Sequence, residues 1–560
     1  MYDSYIRAIK WATLRIDRGV IAYVTNGGFL DSNTADGLRR TLADECSKIY
    51  IYNLRGNQRT AGETSRKEGG KVFGGGSRAT VAITVLVKNP EDTGPATIHY
   101  ADVGDYLTAE QKLDSVSVAG SVLGLDAVNV APNEYGDWLN QRRGDFEKFI
   151  AVADKAGGPA VFGLISGGLK TNRDSWNYNS SREVLLRNCE STISFYNDQV
   201  ARMTAGLELS RDPTRISWDR VPLADAARGK RYDFHPEALT IATYRPFTKQ
   251  WVYPDRQWNN TVYRLPLIFP TPNHRTLGYY EVGTGSANPF SVIVLDSLPD
   301  LHVTGAGSGG QYFPRWRYEK ADDAETLLDI PMGDHEVVEG YRKVDNITDG
   351  AHKRFVAAYG STITKDDIFF YVYGLLHSPE YRGTYGSDLK KMLPRIPLLE
   401  EPWSFVQAGR DLSEIHLGYE SETPYPLAGL DIEPTGDPYD FFTVRRMFFA
   451  KTREPETKKL IPDRSSIVYN SKITLSGIPE DAHRYMLGSR SAIEWIIDRY
   501  QIKTDQASGI VNDPNDWSRE VGDPRYVVDL LARIVTVSLR TVQIVDGLPS
   551  LAIRDNQYSS

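Results

Sequence analysis

Apolar positions recur at helical spacing over residues 5–17, where Tyr5, Ile6, Ile9, Ala12 and Leu14 share a stripe and predict a first helix. VIAYV, residues 20–24, is a short β-branched run. It leads through a glycine turn into an amphipathic helix that ends near Ser47, after which KIYIYNL reads as a second strand. Strand, helix and strand joined by such short crossovers predict a parallel α/β sheet. ATVAITVLVK is a third strand, expected to pair antiparallel at the sheet edge, and Asp102 to Val118 reads as a loop and short helix. From about Gly136 to Tyr318 the alternation is irregular: aromatic-rich short strands (ATYRPF, QWVYP, SVIVL) lie among Pro, Gly and Asn turns, interrupted by the helix SREVLLRNCESTISFYNDQVARM. Helical spacing then dominates. Thr364 and Asp367 form a capping-box pattern opening KDDIFFYVYGLLHS, with further helices expected at WSFVQAGRDLSEIHLGY, EDAHRYMLGSRSAIEWIIDRY and PRYVVDLLARIVTVSLRTVQIV and a β insert, SIVYNSKITLSGI, between the second and third.

At 560 residues the chain exceeds what one core supports, so several domains are expected. With 41% hydrophobic and 25% charged residues, and no apolar run of about 18 residues, a soluble cytoplasmic protein without a membrane partner is the expectation. Cys46 and Cys189 are the only cysteines, which supports neither a disulfide framework nor a zinc site. Net charge is −8, but it is segregated: Asn53 to Arg78 holds six Lys/Arg against two glutamates, whereas Asp322 to Glu339 holds seven carboxylates and no Lys or Arg.

No complete catalytic constellation is legible. The nine histidines are scattered without HExxH, and Ser166 in ISGG lacks the GxSxG context of a nucleophile. The glycines of GGG (Gly74 to Gly76) and of GTGSANPF open no helix and read as turns, and DPYD at Asp437 to Asp440 reads as loop. No catalytic, cofactor-binding or metal-binding residue is therefore assigned.

Three polar segments carry the readable chemistry. NLRGNQRTAGETSRKEGGKVFGGGSR supplies Arg59, Arg66 and Lys67 with glycines that let backbone come close, the donor set that phosphates and base edges need. SGGLKTNRDSWNYNSSR presents Lys170, Asn172 and Arg173 on a glycine-flanked loop. TYRPFTKQWVYPDRQWNNTVYRLP interleaves Arg245, Lys249, Arg256 and Arg264 with five aromatics, which suits a nucleic-acid surface and equally suits cation–π packing inside a β module.

YDSYIRAIKWA, GVIAYVTNGGFLDSNTADGLRRTL and IYIYNLRGNQRTAGETSRKEGGKVFGGGSRATVAITVLVKNP together resemble the part of type ISP restriction-modification enzymes that follows the catalytic loop of their adenine-N6 DNA methyltransferase. GLISGGLKTNRDSWNYN, YRPFTKQW, PDLHVTGAGSGGQYFPR, KDDIFFYVYGLLHSPEYR and KTDQASGIVNDPNDW are similar to the same family, so the resemblance spans almost the whole chain. It implies α/β at residues 1–118, a partial Rossmann-like sheet forming the C-terminal half of the methyltransferase domain. An α+β target-recognition core at 119–320, an acidic linker at 321–345 and a mostly helical support region with a β insert at 346–560 would follow. The implied function is recognition of a double-stranded DNA sequence within such an enzyme, with Arg59, Arg66, Lys67, Lys170, Asn172, Arg173, Arg245 and Arg264 as candidate DNA contacts. The AdoMet loop and Asn-Pro-Pro-Tyr motif are absent from this sequence. The expectation is therefore no cofactor in this chain, S-adenosylmethionine for the complete enzyme, and partner segments (methyltransferase, ATPase and nuclease) supplied in cis or in trans. A separate subunit completing a split methyltransferase, and a non-nucleic-acid interaction protein, are the alternative readings.

Overall fold

The computed structural model describes residues 3–58, 60, 62–75, 78–154, 157–305, 309–321, 337–454 and 458–554. The first unit is a five-stranded mixed sheet made from β1 (Gly19–Asn26), β2 (Lys48–Arg55), β3 (Val81–Lys88), β4 (Thr97–Asp102) and β5 (Val128–Val130), in the spatial order β1-β3-β2-β4-β5. Only β2 and β4 run parallel as neighbours. β3 is not an edge strand as expected: it pairs antiparallel with both β1 and β2 and separates them. Its buried Ala82, Thr84 and Leu86 are compatible with pairing on both sides, and Ile21 of β1 and Ile49 of β2 flank Leu86 in one apolar row, which seats it between them and leaves β1 at the edge.

Two helices cover one face of this sheet, α1 (Ser4–Thr13) and α2 (Asp36–Glu45). In register, Ile21, Leu86, Ile49 and Ile98 form one row on that face and pack with Ile9, Leu38 and Leu42. The opposite face carries the row Ala22, Val85, Tyr50 and His99, the last two stacked at 4.6 Å. On β1 it leaves Val20 and Val24 62% and 55% exposed. α3 (Gly62–Glu68) follows β2 and α4 (Ala109–Ala119) follows β4, the latter opened by a Thr108–Gln111 capping box.

Beyond residue 130 two small antiparallel-rich sheets sit at the centre. One joins Tyr178–Asn179, Thr248–Val252, Thr240–Arg245 and Leu298–Pro299; the other joins Ser166–Gly167, Gln311–Pro314, Gly278–Glu281 and Val292–Leu295. Their inward faces share cores with the later helices: Phe247, Tyr280 and Ile293 with Tyr526–Asp546, and Tyr279, Val292 and Phe313 with Lys365–His377 and Trp403–Leu417. The change of character near residue 320 is thus a change of secondary structure within common cores. Residues 322–336 of the expected acidic linker lie outside the described residues, and what flanks them is sheet: Trp316–Lys320, Val337–Val338 and Tyr341–Asp345 pair antiparallel. The Thr364–Asp367 capping box is present. The single helix expected over EDAHRYMLGSRSAIEWIIDRY is instead a 3-10 turn, a tight hairpin of Met486–Leu487 with Arg490–Ser491, and a helix over Ala492–Arg499. Gly488, at φ +66°, makes that turn, which a helix cannot contain.

The first sheet is fastened to the rest through buried charge. Arg39 and Asp137 are fully buried; Asp137 also takes Arg142 at 2.8 Å and Lys391 at 3.0 Å, the latter from the short helix Gly386–Lys391. Although burial opposes its charge, the hydrogen bonds from Arg142 and Lys391 hold the Asp137 carboxyl well below the usual carboxylate range.

Candidate nucleic-acid interface

The three polar segments converge, and a fourth connects them. Gly62, at φ +57°, opens α3 against the Met486–Ser491 hairpin; any side chain there would strike the Ser489 carbonyl, so glycine permits the contact. α3 thereby presents Arg66 and Lys67 outward, with Arg66 4.0 Å from Glu494. From the same hairpin Arg490 reaches Asp498 at 3.2 Å, and Asp498 also takes Arg499 and lies 3.8 Å from Lys503. Three cations around one carboxylate leave local positive charge. Desolvation, reinforced by Arg499, Arg490 and Arg245, lowers the Lys503 pKa to about 8.

Next to this cluster runs the second segment. Lys170 pairs its backbone with Thr261 in both directions at 3.0 Å. Asn172 stands exposed at φ +59°, a left-handed position that asparagine tolerates and that turns its amide outward from the loop. Arg173, by contrast, is 3% exposed: its guanidinium lies 4.3 Å over the Trp258 ring, donates to the Trp258 carbonyl at 3.0 Å and sits 3.3 Å from Asp219. Burial pushes its pKa down against the pull of Asp219.

Arg245 is also internal. It stacks on the ring of Tyr244 at 3.9 Å and meets buried Asp300 at 2.6 Å, while Tyr244 donates to Asp174 at 3.2 Å. Arg264 is exposed, its backbone N–H donating to Ser166 Oγ, and the neighbouring Tyr263 lies across Gly167, where a Cβ would come within 3.1 Å of the ring. Of the eight expected contacts, then, Arg66, Lys67, Asn172 and Arg264 are presented outward and Lys170 is half-buried. Arg173 and Arg245 are committed to carboxylates inside, as the cation–π alternative anticipated for Arg245, and Arg59 lies outside the described residues.

A cleft of about 560 Å³ opens between the Asn172–Ser180 loop and residues 499–514, lined by Asn172, Tyr178, Gln250, Arg499, Gln501 and Lys503 among others. Its seam is closed by Asn179 Nδ2 on the Val511 carbonyl and Ser180 N–H on Asn512 Oδ1. Tyr178 Oη, Gln250 Oε1 and Arg173 Nε belong to buried side chains on its wall and have no hydrogen-bond partner among the described residues, a costly state that a polar ligand would relieve. Sequence reasoning missed Arg490, Arg499, Gln501 and Lys503, having assigned that region to helical support. The available signal was the spacing of Arg490, Arg499 and Lys503 leading into the turn-rich KTDQASG.

A second, wider cleft of about 790 Å³ lies at the carboxyl ends of β1, β2 and β4, the side on which α/β sheets hold ligands. There Asp102 accepts from Arg55 at 2.7 Å, Tyr100 at 3.0 Å and Asn53 at 3.2 Å, facing Thr284–Ala287 and Lys390 across the gap.

The profile described as Type ISP C-terminal specificity domain matches residues 160–530. Three solved structures superpose on 99% of this chain. A nuclease-deletion mutant of the type ISP restriction-modification enzyme LlaGI in complex with a DNA substrate mimic is 38% identical at a TM-score of 0.82. The ATP-dependent type ISP enzyme LlaBIII bound to DNA is 33% identical at 0.83, and the DrdV–DNA complex 31% identical at 0.79. The chain spans 41%, 34% and 52% of those three chains. No curated protein matches it. With the specificity-domain profile matched over residues 160–530 and the fold shared along 99% of its length with these enzymes, this chain belongs to the type ISP restriction-modification family and corresponds to its C-terminal specificity portion.

Proposed function

We propose that this chain recognises a specific double-stranded DNA sequence for an adenine-N6 methyltransferase that marks self DNA in a cellular defence system. The observation that carries this reading is the convergence of Arg66 and Lys67, Asn172, Arg490, Arg499 and Lys503 from segments hundreds of residues apart onto one band beside a polar cleft. Cations position a duplex through its phosphates, and an exposed amide such as that of Asn172 reads base edges. Arg173 and Arg245 act from beneath: the first fixes the Asn172 loop on Trp258, the second fixes the strand under the cleft through Asp300. The test is binding of the full chain to a randomised duplex pool with sequencing of the bound fraction. Enrichment of one sequence is expected, relaxed at one base position by Asn172→Gly, with total binding to all duplexes lowered by Lys503→Met. Enrichment unaffected by the first and binding unaffected by the second would refute the assignment.

A split enzyme, in which a separate chain supplies the cofactor loop and Asn-Pro-Pro-Tyr segment, is the second reading, and the first sheet favours it. Of 19 large apolar side chains exposed among the described residues, ten fall before residue 131, including Trp11, Leu14, Val20 and Val24. Completing the burial of each valine would contribute about 1 kcal/mol, enough collectively to dock a further strand or helix. In such an assembly the cleft at Asp102 faces the site where S-adenosylmethionine and the target base would meet. Methylation restored by co-expression with a methyltransferase segment, and lost with Val24→Lys, is the expected outcome.

A further inference from the structure

Residues 445–454 and 458–472 carry a second set of exposed cations outside the cleft. The strands Phe448–Arg453 and Leu460–Val468, with Thr474–Ser476 beside them, make a three-stranded sheet that is anchored only at its base, where Ile467, Tyr469 and Leu475 enter the core. Toward the tip the ribbon has two strands, and Lys451, Thr452 and Arg453 are consecutive exposed residues, so neither face is covered. Two-stranded ribbons are marginal in water, and like charges along one add repulsion. Arg445, Arg446, Lys451, Arg453 and Lys472 are all exposed, and none lies within 4.0 Å of a carboxylate among the described residues.

At the ribbon's base, Arg445, Arg446, Lys472, Asn470 and Ser471 surround an open cleft of about 590 Å³, with Asp440 on its rim. This surface is continuous with the interface already described, since the Ile502 N–H donates to the Arg445 carbonyl at 3.1 Å, one residue from Lys503.

We propose that this ribbon and its basal cleft are a phosphate clamp that seats the DNA backbone flanking the recognised sequence. The clamp rests on the DNA reading above but adds a separate surface with a separate signature. Lys451 and Arg453 stand on the solvated ribbon, and at its base Lys472 lies 4.7 Å over the Phe441 ring while the Asn470 amide is engaged by the Phe441 and Thr443 carbonyls, so these cations are placed to neutralise phosphate and not to read bases. The length of duplex engaged therefore exceeds the recognised site on the side of the ribbon.

The experiment compares the full chain with an R445Q/R446Q/K451Q/K472Q variant, titrating duplex by fluorescence anisotropy over a range of salt concentrations. The expected result is an equal fold-loss of affinity for target and scrambled duplexes. The slope of log K against log salt should also be reduced by about 0.9 for each phosphate contact removed. Trimming the flanking duplex on one side of the site should abolish the difference between the two proteins. The charge-preserving R445K/R446K variant should keep the wild-type slope, which separates lost charge from damaged fold. An unchanged slope in the quadruple variant, or a loss confined to one sequence, overturns the clamp while leaving the specificity reading intact. A wild-type chain that binds no duplex at low salt overturns both.

Discussion

Lys503→Met offers the sharpest test of the cationic cleft, because the environment of this lysine links DNA binding to pH. Its pKa is lowered to about 8 by desolvation and by three arginines, so the free chain is mostly charged at pH 7 and mostly neutral at pH 9. A phosphate beside the ammonium favours the charged form and restores the pKa toward its ordinary value of about 10.4. Binding must then take up a proton, and affinity falls as pH rises through 8. Linkage with these two values makes the wild-type dissociation constant rise about tenfold between pH 7 and pH 9. Methionine preserves the stem and removes the charge. The variant binds only as the neutral side chain does, so by the same linkage its affinity should lie about 25-fold below that of the wild type at pH 9, with no pH dependence across that window. Anisotropy titrations at fixed ionic strength measure both curves, and calorimetry in two buffers of different ionisation enthalpy counts the proton. A variant that keeps the wild-type pH dependence would refute the reasoning, as would a wild type whose affinity is flat from pH 7 to pH 9.

Asn172→Gly keeps the left-handed backbone and deletes only the amide, so it should cost about 1–3 kcal/mol at one base position, measured with a panel of single-base variants of the enriched duplex. Arg245→Met strands the buried Asp300 carboxylate and should lower unfolding stability in urea by about 3–5 kcal/mol, with part recovered in R245M/D300N. Asp137, whose folded pKa is depressed, contributes stability that is present above the unfolded value of about 3.9 and is lost as pH falls toward the folded one; acid melts should show Asp137→Asn lacking that component. Val24→Lys, on a surface strand position, should change the stability of the chain by no more than about 0.5 kcal/mol.

Local signals in the sequence carried most of the secondary structure. The Thr364 capping box, the stripe of residues 5–17 and the long helices at Arg182–Thr204 and Tyr526–Asp546 form where their periodicity places them. Pairing order was not legible, because the apolar alternation of β3 fits an edge or a centre equally well until its neighbours are known. Among the exposed members of the interface, Asn172 comes from a glycine-flanked loop and Lys67 from the short helix that Gly62 opens, where glycines and cations announce exposure, whereas Arg264 follows a run of aromatics and cations without glycine. Arg173 and Arg245 could not be separated from them in sequence, since what buries each is a distant partner, Trp258 with Asp219 and Asp300 respectively. Lys503 lies within five residues of Asp498 and Arg499, but the hairpin that brings Arg490 and the strand that brings Arg245 beside it are set only by folding.

The buried contacts of Asp137 with Arg39 and Lys391 bear on how these proteins can be recombined. Arg39 belongs to the first sheet and Lys391 to the second half of the chain, so a graft that exchanges recognition modules joins two halves of one electrostatic socket. A chimera with a junction between residues 39 and 137, or between 137 and 391, inherits Arg39, Asp137 and Lys391 from different parents. Unless all three match, it buries an uncompensated charge at its own hinge line. Designers of new specificities would therefore carry the socket with the donor module and vary only the outward loops, leaving the geometry between the reading surface and the sheet-end cleft as a fixed ruler.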